Sequence, residues 1–182
     1  MPSTITRLRD LVPLRRLSTP EALRVAEAQA DRLLRLSGLT EPPMAEAVIA
    51  AMPHIQIERV VPARALAATQ WSHGRWLIII NGAVSRGRQR WSLAHEVKHI
   101  LDHPFVTILY PTGSTERAEQ ACDYFAACLL MPRRWLRRAW SQGTRDTRTL
   151  ARLFGVTPEA VKVRLLQVGL IEPTALCLAK EA

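Results

Sequence analysis

The chain has 182 residues, 25 Lys and Arg against 16 Asp and Glu, and a formal net charge of +9. With 48% apolar residues it can bury a real core, which excludes wholesale disorder. The longest unbroken apolar run, Tyr124 to Met131, falls far short of the roughly 20 residues of a membrane-spanning helix, so no membrane partner is expected.

Residues 1–19 carry several arginines but no apolar stretch of signal-peptide length, and read as an N-terminal arm lying on the body of the protein. Glu21 to Leu36 places Leu23, Ala26, Ala30, Leu33 and Leu34 at helical spacing, with Thr19 as N-cap and Gly38 as stop. A short helix over Met44 to Met52 follows the Pro42-Pro43 break. His54 to Val61 alternates as a half-buried strand does, Ala67 to Ser72 reads as a second strand, and Trp76 to Asn81 as a third. Ser72-His73-Gly74 suits a hairpin turn. Helical pattern returns over Gln89 to Asp102 and over Glu116 to Met131, separated by a loop at Pro111 to Thr115. Arg133 onward is helical and Arg-rich, with punctuation at Gly143 and at Gly155 to Pro158. The expected fold class is α+β: mostly helical, with a small antiparallel sheet and a C-terminal helix-turn-helix-like segment. The division expected is an arm over 1–19, one domain over 20–132 and a basic helical segment over 133–182 packed on it.

Cys122, Cys128 and Cys177 are odd in number and follow no paired spacing, which points to a reducing, cytoplasmic setting. Cys122 and Cys128 read as small buried hydrophobes, with Cys122, on the helix of Glu119, a minor candidate for a ligand role.

The chemistry concentrates at residues 95–99, His-Glu-Val-Lys-His. On a helix, His95 and His99 sit one turn apart, so both imidazoles reach a single ion. Glu96 lies on an adjacent face, where it can take a proton from activated water without ligating. Lys98 is expected at an exposed helical position. A catalytic zinc site needs a third protein ligand and one open position. Glu116, Glu119, Asp123 and His103 are the candidates; a second helix approaching from the opposite side favours Glu119. Asp123, one turn later, is then placed to accept the remaining ring N–H of a ligating histidine. Zinc is the expected cofactor, and the same donors accept manganese, iron or cobalt. Tyr110 and Tyr124 are the candidate donors to a developing oxyanion. The five tryptophans read as packing residues, and His54 and His73 as isolated.

Arg88 to Pro104, RQRWSLAHEVKHILDHP, followed by Glu119 to Pro132, EQACDYFAACLLMP, resembles the ImmA/IrrE-type metallo-endopeptidases. The two motifs stand in the family's order and cover about 30 residues directly. The resemblance implies a zincin-like metalloprotease domain with His95, His99 and Glu119 as zinc ligands, Glu96 as general base and Asp123 as the partner behind a histidine. It also implies a protein substrate, a repressor with a helix-turn-helix domain, whose cleavage derepresses stress-response or mobile-element genes. Lys98 stands where the family often has glycine, and Asp123 where it often has asparagine.

The charge is local. Residues 133–164 hold nine basic and two acidic residues, net +7. Leu150, Leu153, Phe154, Val156, Val161, Leu165 and Leu166 fall where a helix-turn-helix core belongs, with Thr157 as N-cap and Pro158 at the first helical position. The second helix of a DNA reader would offer Lys162 and Arg164 to the major groove. Arg133, Arg134, Arg137, Arg138, Arg145 and Arg148 suit non-specific phosphate contact or an acidic patch on a protein partner. The alternative function is therefore a non-catalytic regulator that binds DNA or a partner repressor through this segment.

Overall fold

The computed structural model describes residues 2–61, 65–111 and 115–172. Cys177, the residues after 172 and the centre of the loop after Pro111 lie outside the described residues. Three segments precede the sheet: α1 (Thr4–Arg9), α2 (Thr19–Ser37) and α3 (Ala47–Ala50). The strands are β1 (Ile55–Val60), β2 (Ala67–Ser72) and β3 (Arg75–Asn81). After them come α4 (Arg86–Asp102), a 3-10 turn at His103–Phe105, α5 (Val106–Leu109), α6 (Thr115–Leu130), α7 (Arg133–Ser141), α8 (Thr147–Phe154) and α9 (Pro158–Val168). Among the described residues, no helix is long and apolar enough to cross a membrane.

Three helices carry the site. Along α2 every third or fourth residue turns inward, and Ala22, Ala26 and Ala30 are small enough to let α6 approach closely. α6 answers with Ala121, Ala126 and Ala127. The other side of α6 packs on α4, whose Leu93, Ala94, Val97, Ile100 and Leu101 are fully or nearly fully buried. N-capping of α2 falls one residue earlier than expected. Ser18 is the cap, and the Glu21 carboxylate accepts from its backbone N–H and its hydroxyl at 2.9 and 2.7 Å. The N-terminal arm holds a helix, α1, which the sequence pattern does not announce. From its end Arg9 donates to the carbonyls of Ile100 and Leu101, at 2.8 and 3.3 Å. Those belong to the last turn of α4, so the arm caps the helix that bears the histidines.

The sheet differs from expectation. Its order is β1-β3-β2, with β2 antiparallel to β3 but β1 parallel to it. The tight hairpin sets the strand order: His73 and Gly74 both take positive φ, 49° and 76°, the backbone of a type I′ turn. This turn commits one edge of β3 to β2, so β1 takes the other edge and runs alongside. β3 is central and buries Trp76, Ile78 and Ile80 against the helices. β2 is left as an edge lying beside α4.

The C-terminal helices join the same apolar cluster as α2, α4 and α6, through Leu150, Phe154, Val156, Val161, Leu165 and Val168. Thr157 caps α9, accepting from the Ala160 N–H, and Gly155 ends α8 in the left-handed region. Two core assignments need correction: Leu153 is exposed and Leu166 only half-buried. Each sits on the outer face of its helix.

Candidate metal centre

α4 begins at Ser85, whose side chain accepts from the Arg88 N–H. The residues of the lead-in motif fix this start. Gln89 donates to the carbonyls of Val84 and Gly82, and Arg90 donates to that of Met44 at 2.6 Å. From there 3.6-residue periodicity turns the apolar stripe inward and brings His95 and His99 to the side facing α6. Their Nε2 atoms lie 3.1 Å apart, a separation that two ligands of one ion can adopt at about 2.0–2.1 Å each.

α6 supplies the opposite wall. The Glu119 carboxylate straddles the pair, Oε2 at 3.2 Å from His95 Nε2 and Oε1 at 3.5 Å from His99 Nε2. One turn on, Asp123 Oδ1 lies 2.9 Å from His95 Nδ1 and also accepts from Trp91 Nε1 at 3.2 Å. With Nδ1–H donating to Asp123, His95 Nε2 keeps its lone pair for a metal. Burial pulls the His95 imidazole toward its neutral form. The hydrogen bond to Asp123 and the charges of Asp123, Glu119 and Glu96 outweigh this, and its pKa stands above the ordinary value. The hydrogen bond from His95, reinforced by Trp91, holds Asp123 below the ordinary carboxylate value despite desolvation.

Glu96 is buried, near enough to the cluster for its charge to act on His95. There it accepts from the hydroxyl of Thr69, on β2. Nothing in the sequence links these two residues: they are 27 positions apart, and Thr69 reads as one more strand residue. The antiparallel pairing that sets Thr69 opposite Ile78 places it over α4.

The donor set therefore suits a divalent cation: two imidazoles and a carboxylate converge. A thiol is also near. His95, His99 and Cys122 each offer a ligand atom, and the three atoms lie within 4.8 Å of one another. Four earlier candidates are not part of the cluster. His103 falls in the 3-10 turn and packs edge-on against Trp76, ring centroids 4.8 Å apart. Glu116 accepts from Gln120. The hydroxyl of Tyr110 donates to Asp102 and that of Tyr124 to Glu27, so both are engaged away from the histidines.

Lys98 is not exposed. Its side chain is fully buried, with Nζ 2.6 Å from both oxygens of Asp102, and Tyr110 completes the network. The helix turns Lys98 inward because positions 94, 97, 98 and 101 share the packed face. Desolvation, aided by the Asp102 charge, pushes the Tyr110 phenol well above its ordinary value.

Arg164 is likewise misplaced as a DNA contact. It is 1% exposed, donates from Nε to the Met131 carbonyl at 3.1 Å and stacks on Tyr124. Lys162, Arg133, Arg134, Arg137, Arg138, Arg145 and Arg148 are exposed. Arg133 lies 3.7 Å from Glu27, and Arg145 covers the Trp140 ring. A cleft of about 510 Å³ opens between α4, α6 and α9, with Trp91 and Asp123 on its wall.

The family model described as Peptidase M78, IrrE N-terminal-like domain, matches residues 53–166. A solved structure of a Mycobacterium tuberculosis transcriptional regulator superposes with a TM-score of 0.58 at 18% identity, covering 90% of this chain. The chain spans 52% of that regulator's length. No curated protein matches.

Proposed function

The chain belongs to the Peptidase M78 family of IrrE N-terminal-like domains, and on that premise we propose that it is a metal-dependent endopeptidase acting on a helix-turn-helix transcriptional repressor. Cleavage derepresses the stress-response or mobile-element genes that the repressor holds silent. One observation supports the reading above all: two imidazoles and the Glu119 carboxylate converge on one point, with Glu96 one residue along the helix from His95. His95, His99 and Glu119 hold the cation, zinc by preference, with manganese, iron or cobalt compatible with the same donors. When bound, the cation supplies a Lewis acid that polarises a carbonyl and acidifies water. Glu96 takes the proton of the attacking water and delivers it to the leaving amine. The Thr69 hydroxyl keeps its carboxylate aimed, and Asp123 fixes the tautomer and ring plane of His95. The exposed arginines of α7 hold an acidic segment of the substrate.

The test is co-expression with the helix-turn-helix repressor encoded nearest to the chain, as wild type and as Glu96→Gln. Wild type is expected to cleave it, with the variant slower by about 10²–10⁴-fold or more. An intact repressor with wild-type protein holding one equivalent of metal would sink the reading. Charge reversal at Arg137 and Arg138 is expected to raise KM with kcat unchanged.

A further inference from the structure

Cys122 stands three residues after Glu119 and one before Asp123, so one turn of α6 presents all three toward α4. Its thiol is 2% exposed and free of any disulfide. Its sulfur lies within 4.8 Å of ligand atoms on both His95 and His99. Among the described residues no hydrogen bond engages it, whereas Cys128, six residues on, sits against Arg164.

A buried thiol this near two convergent imidazoles is within reach of a cation they would hold. Thiolate sulfur binds zinc at about 2.3 Å, with a bond longer and softer than that of a carboxylate oxygen. We propose that Cys122 is a metal ligand, so that this chain holds its cation with a thiolate from the protein interior as well as with His95, His99 and Glu119 from the open side. On binding, the Sγ–H bond breaks, its proton leaves to solvent, and the electron pair becomes the sulfur–metal bond. Two consequences follow. With four protein donors the resting site would resemble a structural zinc site, and the open position that the attacking water needs would appear only when one of them yields. A thiolate also selects among metals, disfavouring manganese relative to zinc, since oxygen donors suit the former and sulfur the latter.

The inference rests on the metal site just proposed, and cobalt substitution separates the two. Wild-type protein loaded with Co²⁺ alone is expected to bind one equivalent, with the d–d spectrum of a four-coordinate ion and a near-ultraviolet thiolate-to-cobalt charge-transfer band. Cys122→Ala is expected to lose that band, to keep one cobalt on the remaining donors, and to bind it about tenfold more weakly or worse. The double variant Cys128→Ala/Cys177→Ala retains the band. Wild-type protein that binds one cobalt without charge transfer overturns the ligand role of Cys122 and leaves the metal site standing, a result that needs no variant to fold. Survival of the band in a folded Cys122→Ala protein, checked by circular dichroism, also overturns it. Failure of wild type to bind cobalt at all overturns both.

Discussion

Thr69 acts on Glu96 from a different element, and its hydroxyl is the described donor to that carboxylate. A hydrogen bond to a charged group contributes about 1.5–3 kcal/mol. Thr69→Val is therefore expected to lower kcat by about ten- to a hundredfold with little change in KM, and Thr69→Ser to restore it; steady-state kinetics on the cleaved repressor decide this. The Lys98–Asp102 pair makes a different kind of demand. Both partners are buried, so removing one leaves a charge in the interior without its counter-ion. Lys98→Met is expected to cost about 3–5 kcal/mol in denaturant unfolding. The double change Lys98→Met/Asp102→Leu is expected to recover most of that loss, because the cost lies in the orphaned charge. Additive losses in the two single variants and the double would contradict it.

At the level of elements, the helices are held at their ends as much as along their faces. Glu21 accepts from Ser18 and from Arg15, and these bonds lower its pKa from 4.5 to about 2. A depressed carboxylate stabilises the folded state fully above its unfolded value and loses that contribution as pH falls through its folded value. The part of stability due to Glu21 is thus present above about pH 4.5 and drains away toward pH 2. Thermal melts of Glu21→Gln against wild type are expected to diverge at neutral pH and converge at acidic pH. A constant gap across that range would show that the bond to Arg15 and Ser18 is not what Glu21 contributes. At the far end of α4, Arg9 satisfies carbonyls that the helix itself cannot. The arm over residues 1–19 thereby bears on the histidine helix.

Across the whole molecule, one apolar cluster runs from α2 through α4 and α6 into α8 and α9. One close seam is at Gly87, where a Cβ would stand 2.8 Å from the Val156 carbonyl carbon and 3.1 Å from the Thr157 nitrogen. Both are backbone atoms of the turn between α8 and α9, which cannot retreat without moving the helices. Gly87→Ala is expected to cost about 1–3 kcal/mol, with unfolding still in one transition. Urea unfolding followed at Trp91, in α4, and at Trp140, in α7, checks this, since two separated midpoints would show that residues 133–172 fold apart from the rest. The buried Arg164 serves the same seam, tying α9 to the end of α6 through Met131.

Much was legible in the sequence because it is local. The spacing His95-Glu96-x-x-His99 and the one-turn step from Glu119 to Asp123 follow from 3.6 residues per turn, whatever surrounds the helix. So do the stops at Gly38 and Gly155 and the turn at His73-Gly74, where backbone conformation is settled by neighbours in the chain. Three things were not legible, each because burial depends on what packs from elsewhere. Lys98 and Arg164 look like solvent-facing charges until the fold buries them, Lys98 against Asp102 in a network with Tyr110, and Arg164 against Tyr124 and Met131. Thr69 acquires its partner only when β2 takes the edge beside α4, and β1 pairs, in parallel, with the edge of β3 that the hairpin leaves free. Cys122 is in sequence a small apolar residue with only a minor claim as a ligand, until the packing of α6 on α4 sets its sulfur near two imidazoles. The sequence by itself determined which residue types stand on which helical face. The tertiary structure alone decided which faces meet, since desolvation and contact belong to pairs of elements and not to either one.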